Sequence, residues 1–311
     1  MPIKVVVVGA RSARQGTGPF IADAFSRLGA DVCAVVGTSD ATVTQARLAL
    51  KSEQDIECRG YTNLEEALVL EKPDAVAVCS PYPVHAEQLA LIASARCHCL
   101  VEKPLAWPID QKDIIEILDT YNARDLLLQL VTQWPQSLST FTKLHGPLAS
   151  TITDFTMGLS PISIGPNMIP DSAPHFISML QALVGPGEFE QVEITVQHSR
   201  EGEPNTLQLA CTYRHKMGRT QAQLQLATCE HRPRPAWYQI NGLRVDRQIE
   251  LPEYRQYLTS ETQKAMLTDP LESVVADFLD SLENTALTDT GILLAGHRNL
   301  LQLTEAWPDI G

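Results

Sequence analysis

The sequence predicts an α/β protein in two parts. A parallel, doubly wound sheet is expected over residues 1–132, followed by an α+β region with a largely antiparallel sheet over residues 133–311. Three observations predict this. Residues 3–8 (IKVVVV) form a β-branched run that reads as a fully buried parallel strand, and a glycine-containing turn and a helical segment follow. Residues 76–106 read as strand, turn, helix, strand, turn, which is a parallel βαβ unit. Beyond residue 150 the pattern changes to short runs of alternating apolar and polar residues, the mark of antiparallel strands with one face on a core.

Composition narrows the functional classes. With 44% hydrophobic and 20% charged residues the chain is an ordinary globular one, and 311 residues suffice for about two domains. A net charge of −13 argues against nucleic acid or an anionic membrane as the main partner, although a local field can still bind a small anionic cofactor. The seven cysteines (Cys33, Cys58, Cys79, Cys97, Cys99, Cys211, Cys229) are odd in number and contain no C-x-x-C pair, so neither a disulfide framework nor a zinc site is expected. In Cys97-His98-Cys99, successive strand residues point to opposite faces, so no metal is expected there. The valine run is far too short for a signal sequence or membrane span, and a cytoplasmic protein is expected.

In chain order, the first strand leads into Gly9-Ala10-Arg11-Ser12-Ala13-Arg14-Gln15-Gly16-Thr17-Gly18-Pro19. A helix over 19–28 follows, with Pro19 in its first turn and Gly29 as its stop, and then a strand over 31–36. This is the opening of a Rossmann dinucleotide-binding domain with one departure. Gly9 is the first glycine of a G-x-G-x-x-G turn, but Arg11 stands where the second belongs. Gly16 and Gly18 supply the close approach, in a loop about two residues longer than usual. Gly9, Ala10, Arg11, Arg14, Gly16 and Thr17 are the expected cofactor contacts on this turn.

The end of the second strand discriminates NAD from NADP. NAD readers place Asp or Glu there, whereas this chain has Val36-Gly37-Thr38-Ser39-Asp40, with Asp40 arriving late. Thr38 and Ser39 are candidate donors to a 2′-phosphate, and Arg11 or Arg14 a candidate counter-charge, so NADP is expected, with NAD as the alternative. Thr38-Ser39-Asp40 also suits the cap of a helix over 41–50, and both roles can hold together. A short strand over 55–61 and a helix over 63–70 lead to the central unit.

In that unit the strand around Val76 and Val78 ends at Cys79-Ser80-Pro81. A helix over 85–95 carries Ala86, Leu89, Ala90 and Ala93 on one face, and a strand over 98–101 stops at Glu102-Lys103-Pro104. Ligands bind where parallel strands end at their carboxyl side, and here that edge presents Ser80, Pro81, His85, Glu102 and Lys103. Proline restricts its own φ and the residue before it, so Lys103 is held stiffly. A helix over 109–121 with Ile114, Ile115 and Leu118 at core spacing and a strand over 126–131 close the first region, near Thr132-Gln133-Trp134-Pro135.

The pairing of Ser80-Pro81-Tyr82-Pro83-Val84-His85 with Glu102-Lys103-Pro104-Leu105-Ala106, across one βαβ unit, closely resembles the T-P-N-x-x-H … E-K-P signature of the glucose–fructose oxidoreductase and inositol dehydrogenase (Gfo/Idh/MocA) family. These are nicotinamide-dependent oxidoreductases acting mostly on sugars and cyclitols. Some relatives carry R-G-x-G at the first turn, and Arg14-Gln15-Gly16-Thr17-Gly18 looks like a stretched version. The resemblance implies that the chain after residue 131 leads towards a substrate pocket, which makes Gln133 and Trp134 candidate liners, with a structural role for Trp134 beside Pro135 as the alternative; Met157, among the apolar neighbours of that pocket, is a third candidate.

The second region is expected to have strands over 151–157, 192–198, 206–213, 221–228 and 237–249, with a helix over 171–184 ending at Gly185-Pro186-Gly187. Helices over 271–282 and 290–307 follow, the first with Val274, Val275, Phe278 and Leu282 on one face. Asp171 and His175 are four apart and share a helix face if the helix starts at or before Asp171. Asp171-Ser172-Ala173-Pro174-His175 resembles the family's D-x-x-x-H motif, whose histidine acts with the lysine of E-K-P. Ser178 departs from the pattern, since the family often has aspartate there. The alternative makes Asp171 a helix N-cap and His175 an ordinary first-turn residue.

Oxidising a secondary alcohol removes a hydride from carbon and a proton from oxygen, and the protein must position the carbon and accept the proton. Histidine suits the task because its unperturbed pKa, about 6.5, lies near working pH. A helix N-terminus would also favour its neutral form. Asp171 would orient the ring or hold a substrate hydroxyl, and Lys103 would donate to the reacting oxygen. The sequence therefore predicts an NAD(P)-dependent oxidoreductase acting on a small molecule with Lys103, His175 and Asp171, and needing no metal. Two alternatives stay open. One is a non-catalytic dinucleotide-binding sensor, whose mark would be loss of Lys103 or His175. The other is a reductase of a less polar substrate, as in the biliverdin reductases, suggested by the apolar, proline-rich stretch 158–170. A sheet face left uncovered in the second region predicts a homodimer or homotetramer, since family members commonly associate through this sheet.

Overall fold

A computed structural model describes residues 2–11, 16–198, 204–251 and 254–308. Its chain divides into two compact units. The first is Met1–Val131 with Leu271–Thr290, and the second is Thr132–Pro270 with Gly291–Gly311.

Val5 to Val8, none more than 4% exposed, make strand β1 (Lys4–Val8) the centre of the first sheet. Chain order continues through α1 (Gly18–Arg27), β2 (Asp31–Val36), α2 (Asp40–Gln54), β3 (Arg59–Tyr61), α3 (Leu64–Glu71), β4 (Ala75–Val78), α4 (His85–Ser94), β5 (His98–Val101), α5 (Gln111–Ala123) and β6 (Leu128–Leu130). The six strands pair in parallel in the order β3-β2-β1-β4-β5-β6. Strand order reverses at the β1–β4 boundary, the position where doubly wound sheets open a crevice at their carboxyl edge.

The second unit contributes α6 (Leu138–His145), β7 (Asp154–Leu159), α7 (Met168–Val184), β8 (Gly187–His198), β9 (Pro204–His215), β10 (Gly218–Ala227), β11 (Trp237–Ile240), β12 (Leu243–Glu250), β13 (Arg255–Thr259) and β14 (Lys264–Met266). Its eight-stranded sheet runs β14-β13-β12-β11-β7-β10-β9-β8 and is antiparallel except where β10 meets β7. Helix α7 packs on one face, where Phe155, Phe176, Phe189 and Tyr213 form a chain of rings with centroids 5.3–5.9 Å apart. The other face of β9 and β10 carries exposed Gln208, Gln221, Gln223 and Gln225.

Four expectations change. Residues 237–249 are not one strand but the hairpin β11–β12, turning at Asn241-Gly242, both with positive φ (47° and 80°) as a tight primed turn requires. Helix α6 and strands β13 and β14 fall where no element was expected. Helix α7 begins at Met168, three residues before Asp171. Of the two tail helices, α8 (Pro270–Glu283) lies in the first unit, whereas α9 (Thr290–Glu305) is almost wholly in the second. The reason is packing. Val274, Val275 and Phe278 of α8 are buried in the first unit's core, with Phe278 edge-on to Phe25 at 6.1 Å. Thr288 then stitches the edge strand β6, its Oγ1 accepting from Leu128 N (2.7 Å) and donating to Leu126 O (3.0 Å).

Candidate active site

The carboxyl edge of the parallel sheet is built on glycine. Gly9 has φ +86°, and a Cβ there would lie 2.7 Å from the Cys79 carbonyl oxygen. At Gly18, the first residue of α1, a Cβ would lie 2.5 Å from the Gly9 carbonyl oxygen. Only glycine lets the turn after β1 lie this close to both β4 and the helix start. Gly18 thus takes the role of the third fingerprint glycine, which allows close helix–strand packing. Thr17 is the N-cap of α1, without a side-chain cap hydrogen bond, and no acidic residue stands in the first turn. Such a helix start favours a negatively charged ligand. Ala10 is buried, Arg11, Gly16 and Thr17 are half-buried, and Arg14 lies outside the described residues.

At the end of β2 the capping role holds. Ser39 is the N-cap of α2, its Oγ accepting from Thr42 N (3.3 Å) while Ser39 N donates to Thr42 Oγ1 (3.0 Å). Thr38 is exposed beside it. Arg11 reaches across to α2, where its Nε donates to Gln45 Oε1 at 3.1 Å.

Beyond β4 and β5 the structure joins two loops through His85. The ring is fully buried. Its Nδ1 lies 3.0 Å from Pro104 O and 3.3 Å from Leu105 O, and its Nε2 lies 2.8 Å from Ser80 O. His85, expected at the cofactor edge, braces the two loops through these contacts. Ser80 Oγ donates to Gln88 Oε1 (2.6 Å), and Pro81 is exposed. The Lys103–Pro104 peptide is cis and Lys103 is half-buried. Glu102 Oε2 accepts from Lys103 N (3.1 Å), whereas Oε1 is buried with no hydrogen-bond partner among the described residues. A nicotinamide dinucleotide fits this edge: the α1 start suits a pyrophosphate, and the orphaned Glu102 Oε1 suits a hydroxyl or amide donor.

In the second unit, Asp171 and His175 are the fourth and eighth residues of α7, one helical step apart. The N-cap is Asn167, so Asp171 is not the cap, and His175 lies beyond the first turn, where the helix dipole has little effect. Asp171 Oδ2 accepts from Ser163 Oγ at 2.8 Å. The His175 ring stands edge-on to Trp134 with centroids 6.5 Å apart, and Trp134 also meets Tyr238 edge-on at 6.2 Å. Gln133 is half-buried in the turn before Trp134. Met157, an expected liner, is a core residue, fully buried in the sheet between Leu224 and Tyr238.

Sequence reasoning missed Arg247, whose guanidinium carbon lies 5.1 Å from the Trp134 ring centroid. A signal existed, since Arg247 shares strand parity with buried Val245. Cys97 and His98 are engaged with separate partners. Cys97 Sγ donates to Pro73 O (3.2 Å), His98 Nδ1 accepts from Leu127 N (2.9 Å), and burial pushes the Cys97 thiol up to about 11 and the Cys99 thiol higher still. Among the described residues no group of three or more His, Cys, Asp or Glu side chains is placed to hold a metal ion. No helix among them is long and apolar enough to cross a membrane.

Fold and edge together define a two-part protein built on a nucleotide-binding Rossmann sheet. Residues 3–130 match the GFO_IDH_MocA model, described as an oxidoreductase family with an NAD-binding Rossmann fold. Three solved structures illustrate the shared fold over nearly the whole chain. One is scyllo-inositol dehydrogenase from Lactobacillus casei with bound NAD(H) and scyllo-inositol (17% identity, 99% of this chain and 97% of that one, TM-score 0.75). Another is UDP-N-acetylglucosamine 3-dehydrogenase GnnA from Acidithiobacillus ferrooxidans (16%, 98% and 96%, TM-score 0.72). A third is an oxidoreductase from Agrobacterium radiobacter in complex with NAD+, L-tartaric acid and magnesium (14%, 98% and 95%, TM-score 0.68). No curated protein matches the sequence.

Proposed function

We propose that the protein is an NAD(P)-dependent dehydrogenase or reductase that interconverts a CH–OH group and a carbonyl on a sugar, cyclitol or related small molecule. The observation that carries this is that Lys103 at the end of β5 and the Asp171–His175 pair on α7 are both present in a chain whose β1–α1 turn fits a dinucleotide. The bound nicotinamide supplies the hydride acceptor or donor. Lys103 Nζ hydrogen-bonds the reacting oxygen and offsets the charge that builds on it. His175 takes the alcohol proton in oxidation and returns it in reduction. Asp171, held by Ser163, orients the ring or a substrate hydroxyl. Polyol and sugar-nucleotide dehydrogenases among the structural neighbours support this substrate class.

NADP is the favoured cofactor, since β2 ends without an acid before Asp40 and Arg11 is tied to α2 through Gln45. The exposed glutamine face of β9 and β10 supports a homodimer or homotetramer, which light scattering would test: a monomer at micromolar concentration opposes it. All seven cysteines are free, which agrees with a cytoplasmic location. Ile162 and Ile164, exposed before α7, favour as a second reading a reductase of a less polar substrate. The experiment is to follow nicotinamide absorbance with NADP(H) and NAD(H) across a panel of polyols, sugars, their acids and apolar carbonyl compounds. Turnover of any member supports the enzyme reading. Absence of both turnover and cofactor binding rejects it.

A further inference from the structure

We infer that Arg247 binds an anionic group, carboxylate or phosphoryl, on the substrate of the Trp134–His175 site. This rests on reading that neighbourhood as the substrate site. Arg247 lies on β12, opposite Leu258 of β13, which is fully buried, and one step from Val245, also fully buried. Its side chain therefore belongs to the covered side of the sheet. The strand's other charges lie on the opposite parity and are partnered: Arg244 with Asp246 at 2.7 Å, and Glu250 with Lys264 at 2.5 Å. Arg247 has no carboxylate within ion-pair distance among the described residues. Among the described residues its Nε is buried without a hydrogen-bond partner, and Nη2 makes only a long contact, 3.4 Å, to the Arg234 carbonyl oxygen.

Its electrostatic surroundings are unfavourable. Burial holds the Arg247 guanidinium below the usual arginine range, the Arg234 charge adds to this, and Tyr254 opposes it. Arginine nonetheless stays protonated in proteins, so this is a half-buried cation without a counter-ion among the described residues. The Trp134 face at 5.1 Å gives a cation–π contact, a weaker compensation than an ion pair. A guanidinium fork matches the geometry of a carboxylate or phosphoryl group and binds either with two hydrogen bonds. The same indole meets the His175 ring edge, so a substrate anchored at Arg247 would have its remaining atoms beside the proposed base.

The test uses calorimetric binding and turnover with three anionic probes, D-glucuronate, D-gluconate and D-glucose 6-phosphate, against neutral D-glucose and D-glucitol. Wild type, Arg247→Gln, Arg247→Lys and Lys103→Met are compared, and thermal melting reports whether each folds. Wild type should bind at least one anionic probe about tenfold or more tighter than its neutral counterpart, the scale of a charge-assisted pair. Arg247→Gln should remove that preference and Arg247→Lys keep part of it. If Arg247→Gln does not fold, Arg247→Lys decides, by weakening the anionic probe more than the neutral one. The acid and phosphate arms identify which anion is taken. No preference for any anion, or a preference that survives in the folded Arg247 variant, overturns the inference. Turnover that depends on Lys103 without anion preference leaves the oxidoreductase reading intact and rejects only this one. Arg247-dependent anion binding with no turnover of any substrate does the reverse.

Discussion

The imidazole of His85 holds the carbonyl of Pro104, Nδ1 to oxygen 3.0 Å, while its other nitrogen lies 2.8 Å from the carbonyl oxygen of Ser80. One buried ring thereby fixes the loop after β4 to the loop after β5, and the residue preceding Pro104 is Lys103. In the proposed mechanism His85 therefore positions Lys103. His85→Ala should lower kcat roughly tenfold or more, the scale for losing a supporting hydrogen bond behind a functional group, while cofactor affinity changes little. His85→Asn, which keeps one donor, should recover part of the loss. Steady-state kinetics with a separate cofactor titration checks this. A parallel fall in kcat and cofactor affinity would instead mean that the ring serves the dinucleotide itself.

Cofactor choice tests the β2 edge. Arg11 is tied to Gln45 on α2, and Ser39 is engaged in the cap, so Arg11 and Thr38 remain to meet a 2′-phosphate. Wild type should bind NADPH more tightly than NADH in a fluorescence titration. Arg11→Ala should weaken NADPH roughly tenfold or more, as expected for a hydrogen bond to a charged group, and leave NADH nearly unchanged. Tighter binding of NADH by wild type would oppose the phosphate assignment.

Acid sensitivity should come partly from His98. Its ring is pushed to a lower pKa by desolvation, and Asp74 opposes that only in part. Its Nδ1 accepts the Leu127 N–H, a bond that protonation at that nitrogen removes. The native state therefore takes up the proton later than the unfolded chain does. Stability is intact above the unfolded value, about 6.5, and is lost as pH falls from there towards the lowered native value. Urea midpoints measured between neutral pH and about pH 5 should fall, and His98→Gln should flatten that slope. A slope unchanged in the variant would remove His98 from the account.

Much of this was legible in the sequence because it depended on local chemistry. The apolar runs at β1, β2, β4 and β5, buried on both faces, announced parallel strands, and Ser39 announced a cap. What failed depended on distant partners. Periodicity assigned Val274 and Phe278 to a helix face but not to Phe25, their neighbour across the chain. Asn241-Gly242 carried a turn signal, but the β-rich residues on both sides read as one strand. The spacing of His85 from Ser80 and Lys103 identified a motif without giving the direction of the ring. Arg247 shares parity with Val245, but nothing local to it names Trp134.

Lys103 and His175 are the residues proposed to carry the reaction, and paired substitution checks this. Lys103→Met and His175→Ala are compared with wild type in steady-state turnover on a substrate from the panel, with cofactor affinity measured separately. Each variant should fold, keep most of its cofactor affinity and lose roughly 10²-fold or more in turnover, the usual scale for a proton-transfer or charge-stabilising group. Normal turnover in both variants would contradict the account and place the chemistry elsewhere in the chain.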